Sequence, residues 1–256
     1  MTLAYNCQDF LSEAISSIQE QSFEDWELII IDDHSSDKTP EIAKGFASAD
    51  ERIHYFRNEE NLGIPKSRNR ALKEARGEYI AVLDGDDVWI DDQKLKKQVE
   101  FLDTHPEHGV VGTWAKYTSP YHKKIQLDKP EVIDQKIKKK MLSKNQIINV
   151  SAMFRKQAAL PEGYNNDFVN SEDFELWLRI GKKWKFANLP ECTTEYHLSK
   201  YGASTSKREQ QLKLSLSAIK THGKKYPGYH LQTILRKMKI ILRPILLPIW
   251  RYLQKI

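Results

Sequence analysis

Cysteine is all but missing from this chain: its 256 residues include two, Cys7 and Cys192, far apart and without metal-ligand spacing. That excludes a disulfide framework and a zinc site, and free thiols in a reducing compartment are expected. The first ten residues, MTLAYNCQDF, have neither the basic segment nor the apolar core that directs export, so residence in the cytoplasm is the expectation. Internal repeats and Gly/Ser-rich linkers are lacking too. With 40% hydrophobic residues the chain can bury a sizeable core, which sets disorder aside. Acid is what the C-terminus lacks. From Lys207 to Ile256 there are 12 Lys or Arg against Glu209 alone, a tail of +11; the preceding residues carry 28 bases against 34 acids, a body of −6. Such a tail seeks anionic surfaces, phospholipid headgroups or nucleic acid.

What is there reads as alternating helices and buried strands. Leu11, Ala14, Ile15 and Ile18 fall at helical spacing ahead of the apolar, β-branched run WELIII at 26–31. The polar cluster DDHSSDKT follows, where Ser36 or Asp37 is placed to cap a helix through Ile42, Ala43 and Phe46. A strand IHYF (53–56), a turn at Asn61-Leu62-Gly63, a helix through Arg68, Ala71, Leu72 and Ala75, and one strand EYIAVL come next. This alternation predicts βαβ units and a mainly parallel sheet. Beyond it the pattern predicts a helix near 92–104 and strands near 109–115 and 147–154. One domain over 1–204 is expected, then a helix from about 205 to 221 and a basic, apolar tail.

Two acidic groups stand at the carboxyl ends of predicted strands, where open α/β sheets place their chemistry: Asp32-Asp33 and Asp84-Gly85-Asp86-Asp87. Carboxylates brought together repel one another and raise one another's pKa, so such a cluster favours a cation. Mg²⁺ or Mn²⁺ suits oxygen ligands, and one or two carboxylates leave room for substrate phosphates. The plainer alternative for 84–87 is a solvated turn in which Gly85 supplies a positive φ, and for Asp32-Asp33 and Asp37 it is helix capping.

The series YN (5–6), QSF-x-x-WELIIIDDHSSDKT (21–39), NLG (61–63), SRNRAL (67–72), ARGEYIAVLDGDD (75–87) and NSEDFELWLR (170–179), in that order and spacing, resembles family 2 glycosyltransferases of GT-A fold. The resemblance covers residues 1 to about 205. It implies a Rossmann-like, mainly parallel sheet flanked by helices, and inverting transfer of a sugar from a UDP-sugar to an acceptor hydroxyl. It assigns base stacking to Tyr5, acceptance from the uracil N3 hydrogen to Asp33, ribose and metal contact to Asp84, and the metal to Asp86. Arg68 or Lys66 would help to hold the nucleotide; the alternative for both is an exposed helix face. Asp173 would be the general base, with Glu172 orienting it or touching the acceptor; here the alternative is capping of the amphipathic helix that follows. The family's Tyr-Arg-x-His is replaced by Tyr196-His197-Leu198-Ser199, which leaves His197 either near the diphosphate and metal or purely structural.

Where relatives begin with a full apolar strand, only Met1 to Ala4 precede the YN, so a truncated first strand and a stability cost are expected, and an inactive family member is an alternative. In the tail, Met238, Ile241, Leu242, Ile245, Leu246, Ile249, Trp250 and Leu253 recur at helical spacing among Arg236, Lys237, Lys239, Arg243, Arg251 and Lys255. Its longest charge-free run, Pro244 to Trp250, falls far short of the roughly 20 residues that span a bilayer. A segment kinked at Pro244 and Pro248 and lying on the anionic inner face of the cell membrane is expected; the alternative is a helix docked on the domain or on a second copy. A saccharide or lipid-linked saccharide acceptor, in cell-surface polysaccharide or lipopolysaccharide synthesis, follows from the resemblance and the tail together. A receiver domain of the phosphorelay type lacks its later Thr or Ser and Lys here. A nucleic-acid-binding module is disfavoured by the acidic body and the missing recognition motif, so no nucleic acid is expected.

Overall fold

The computed structural model describes residues 1–119, 122–198 and 208–253, with 119, 122–124, 208 and 243–253 as backbone alone. Ser199, Lys255 and the expected boundary at 204 lie outside the described residues.

The chain runs β1 (Thr2–Ala4), α1 (Leu11–Gln19), β2 (Leu28–Asp32), α2 (Thr39–Ala49), β3 (Ile53–Arg57), α3 (Ile64–Glu74), β4 (Tyr79–Ala81), β5 (Leu83–Asp84), β6 (Val88–Trp89), α4 (Lys94–Thr104), β7 (His108–Ser119), β8 (His122–Asp128) and α5 (Asp134–Met141). A 3₁₀ turn (Asn149–Ser151), β9 (Met153–Arg155), α6 (Lys156–Ala159), α7 (Glu172–Ile180), β10 (Lys185–His197), α8 (Arg208–His222), a second 3₁₀ turn (Gly223–Lys225) and α9 (Tyr229–Leu253) complete it. Four strands pair in parallel in the order β3-β2-β1-β5. β2 is buried along its whole length, which is why it reads as an unbroken apolar run rather than an alternation. Its carboxyl end and those of β1 and β5 lie along one edge of the sheet, and so do the two acidic groups.

β1, three residues long, lies inside this sheet between β2 and β5. It registers Thr2 to Ala4 against Ile30 to Asp32 and Thr2-Leu3 against Leu83-Asp84, and the Met1 amino group donates to the Ala81 carbonyl at 2.7 Å.

A second, mixed sheet runs β4-β9-β7-β10-β6, with β8 beside β7. Here the structure corrects the sequence reading. EYIAVL is two strands: β4 pairs antiparallel with β9 in the second sheet, and β5 pairs with β1 in the first. Between them the Val82 amide donates to Ala152, so the chain steps from one sheet to the other just before the acids. The strand expected over 147–154 shrinks to β9, because Asn149–Ser151 turns as 3₁₀ helix. Gly85 does not have positive φ. It is required by close approach: a Cβ there would lie 2.9 Å from the Cys7 sulfur and 3.0 Å from the Leu3 carbonyl oxygen. Cys7 packs at this point as a buried free thiol, pushed up to about 12 chiefly by burial.

α7 is amphipathic and packs Trp177, fully buried, edge-on against Phe154 with centroids 5.6 Å apart. Asn170, in the left-handed region at φ 66, turns the chain into this helix, a backbone conformation Asn tolerates better than most residues. Glu172 and Asp173, at the start of the helix, are thereby fixed against the edge where β5 ends.

Candidate active site

A pocket of about 440 Å³ opens at that edge, and Arg68, Asp84, Asp86, Glu172, Asp173 and His197 all line it. They come from α3, β5 and its following turn, α7 and β10, the first two separated in sequence from the last two by nearly a hundred residues or more. Arg68 is the hub. Its guanidinium, 4% exposed, donates to both Asp84 oxygens at 3.1 Å and to Glu172 at 2.7 Å. With its amide oxygen turned inward, Asn149 accepts from the same group at 2.9 and 3.2 Å. Burial works against the charge on Arg68, but Asp84 and Glu172 outweigh it and hold the group firmly protonated. The exposed-face alternative does not describe this residue, which is buried with its hydrogen bonds on protein carboxylates. Lys66, two residues earlier and so on the opposite side of the helix, is the residue on the exposed face.

With Asp84 committed to Arg68, Asp86 is the less encumbered carboxylate of the pair. Burial, and then the charge of Asp84, push it up to about 6. Asp87 turns away, accepting the His197 amide at 2.8 Å, and its pKa is raised well above the carboxylate range, first by burial. His197 Nδ1 sits 2.6 Å from the Asp86 carbonyl oxygen, which fixes the proton on that nitrogen. The pairing of β6 with β10 holds this arrangement, so His197 does border the acidic turn.

Across the pocket, Glu172 and Asp173 do not cap α7; Ser171 precedes the helix and no side chain caps it. Glu172 goes to Arg68, while Asp173 accepts from Asn145 Nδ2 at 3.2 Å. Burial raises both carboxyls, against the opposing charge of Arg68.

Tyr5 and Asp33 stand apart from this group. Tyr5, 55% exposed, follows β1 with its ring open to solvent. Asp33 is engaged within the fold: its oxygens take hydrogen bonds from Asn58, Leu62, Gly63 and Ser67 at 2.7 to 3.0 Å. Three of these go to Oδ1 and only the Gly63 amide goes to Oδ2, so of a carboxylate's roughly four acceptor positions one on Oδ2 is left over. In this structure Asp33 folds the Asn61-Leu62-Gly63 turn onto β2.

Among the described residues no group of three or more His, Cys, Asp or Glu side chains is arranged to hold an ion alone. Asp86, with Asp84 and His197 beside it in the pocket lining, could offer only part of a coordination shell and would leave the rest to other oxygens. The raised pKa of Asp86 marks a charge that a cation would relieve.

The family model for glycosyl transferase family 2 matches residues 1–162. The chain belongs to that family. This glycosyltransferase is 33% identical to the putative teichuronic acid biosynthesis glycosyltransferase TuaG of Bacillus subtilis, over 81% of each chain. It is 32% identical to the UDP-Glc:alpha-D-GlcNAc-diphosphoundecaprenol beta-1,3-glucosyltransferase WfgD of Escherichia coli, over 80% of this chain and 78% of the other. In three dimensions it resembles the mannosyltransferase PcManGT of Pyrobaculum calidifontis, solved with GDP-Man and Mn²⁺, with TM-score 0.69 and 17% identity over 93% of this chain and 68% of that one. That likeness bears out the GT-A fold: a parallel sheet flanked by helices.

The residues that sequence reading missed are Asn145 and Asn149, which touch Asp173 and Arg68. Asn145 lies in irregular backbone and Asn149 opens a three-residue 3₁₀ turn, both too short for a periodicity that would mark a side chain as facing a site.

Proposed function

We propose that this glycosyltransferase moves a sugar from a UDP-sugar to a hydroxyl of a saccharide, free or carried on a lipid, with inversion, in the assembly of a cell-surface polysaccharide or lipopolysaccharide at the inner face of the cell membrane. One observation carries this reading: Arg68 ties the acidic turn after β5 to the first turn of α7, so Asp86 and Asp173 line one pocket. The names of TuaG and WfgD support the polymer, the uridine nucleotide and the lipid diphosphate acceptor.

In this reading Asp86, with Asp84 and His197 beside it, would hold Mn²⁺ or Mg²⁺, whose charge would stabilise a departing diphosphate. Asp173 takes the proton of the acceptor hydroxyl. The freed oxygen attacks the anomeric carbon, the bond from that carbon to the diphosphate oxygen breaks, and its electron pair departs with UDP. Asn145 holds Asp173 in place, and the raised pKa of that carboxyl makes it a better base than an exposed aspartate. Tyr5, with its free ring, is available to stack on the base.

Binding of UDP in the presence of Mn²⁺ should depend on pH with a known sign. Below about 6 the Asp86 carboxyl takes up a proton that must leave before it can serve a cation. Affinity is expected to fall about tenfold per pH unit below that point and to flatten above it. Calorimetric titration with UDP, GDP and CDP from pH 5 to 8 checks this. Strong, pH-dependent binding of UDP supports the reading; indifference to all three nucleotides refutes it.

A further inference from the structure

The last helix is attached to the domain by one side only. Tyr226, buried, donates to the Trp177 and Leu178 carbonyls at 3.4 and 3.1 Å, and Tyr229 packs on the main core. Arg236 reaches inward to the Leu142 carbonyl at 3.0 Å and the Ser215 hydroxyl at 3.1 Å. On the opposite side Leu231, Ile234, Leu235, Met238, Ile241 and Leu242 are 39 to 65% exposed. At about 3.6 residues per turn they form a stripe roughly 120° wide, with Lys237 along one margin and Lys239 along the other. Six of the thirteen exposed large apolar side chains among the described residues therefore lie within one stretch of this helix.

We infer that this stripe is the surface by which the protein lies on an anionic phospholipid bilayer. The inference deepens the membrane location proposed above and rests on that reading for its biological setting, while its geometry stands independently. Apolar side chains between two rows of lysine match the boundary between acyl chains and acidic headgroups. A second copy matches less well: it would bring two tails of +11 together with no acid after Glu209 to offset them. Nucleic acid would use the lysines and leave the apolar stripe in water. No helix among the described residues is long and apolar enough to cross a membrane, so the helix lies along the surface. The docking-on-the-domain alternative describes its inner side, and the membrane expectation describes its outer side. α8, which packs between α9 and α7, contributes Gln211 to the lining of the pocket, so the opening stands one helix away from the proposed lipid surface.

The test is co-sedimentation of the full chain with vesicles of phosphatidylglycerol and phosphatidylcholine mixed, or of phosphatidylcholine alone, with sedimentation velocity in parallel. Binding is expected only to the anionic vesicles and should weaken as salt is raised. The pair Lys237→Glu and Lys239→Glu is expected to lower it about tenfold or more. The triple change Ile234→Asp, Met238→Asp and Ile241→Asp should abolish it, with UDP binding unaltered in both variants. That UDP measurement separates the two readings, because a failed sugar-transfer reading would leave vesicle binding intact. Equal binding to neutral vesicles, no effect of either variant, or a wild-type dimer that the triple change dissociates would overturn the inference.

Discussion

Asp173→Asn is expected to bind UDP as tightly as the wild type and to lose about 10²- to 10⁴-fold in kcat. The change removes the basic oxygen pair and little else. Its amide oxygen can still accept from Asn145, now 3.2 Å from the carboxylate, so the first turn of α7 keeps its contact with the loop at 145. Donor contacts assigned to Asp86 lie on the other wall of the pocket. Steady-state turnover together with titration of UDP separates the two effects. An unchanged KM for donor with depressed kcat is the signature of a group acting on the acceptor proton. Undiminished turnover would remove Asp173 from the mechanism.

Arg68→Leu should be the most damaging single change to the fold at this edge. It strands Glu172, 4% exposed, and takes from Asp84 its only cationic partner within 4 Å among the described residues. Breaking a buried ion pair by removing one member costs about 3–5 kcal/mol. For a chain of this size that is a fall in Tm of roughly 10 °C. Combining Arg68→Leu with Glu172→Leu is expected to recover part of that loss, since two apolar side chains replace the stranded charge, without restoring transfer. Thermal unfolding of the two single variants and the double variant measures the coupling. Strict additivity would show that the pair does not join the two walls as described.

How much of this was legible beforehand follows from where each signal resides. β2 and α1 were readable because burial of a central parallel strand and of one helix face imposes local patterns, LIIID and the spacing of Leu11, Ala14, Ile15 and Ile18. The acids were readable because strand ends and motif order placed them at one edge. The state of Arg68 was not. That it is buried and bridges Asp84 to Glu172 depends on α7 folding back from a hundred residues away, and nothing in SRNRAL records the approach. Asp33 is the same lesson in reverse. Its neighbours in sequence show an acid at a strand end, whereas its four hydrogen-bond donors come from residues 58 to 67. The split of EYIAVL between two sheets was hidden because both halves are apolar and extended; only the partners differ.

Crystals grown with UDP and Mn²⁺, measured at a wavelength where manganese scatters anomalously, test the central claim most directly. An anomalous peak within coordination distance of an Asp86 oxygen, with the diphosphate on the same ion and Asp173 facing the open side, is the expected result. UDP bound elsewhere, or bound in the pocket with the ion remote from Asp86, would contradict it.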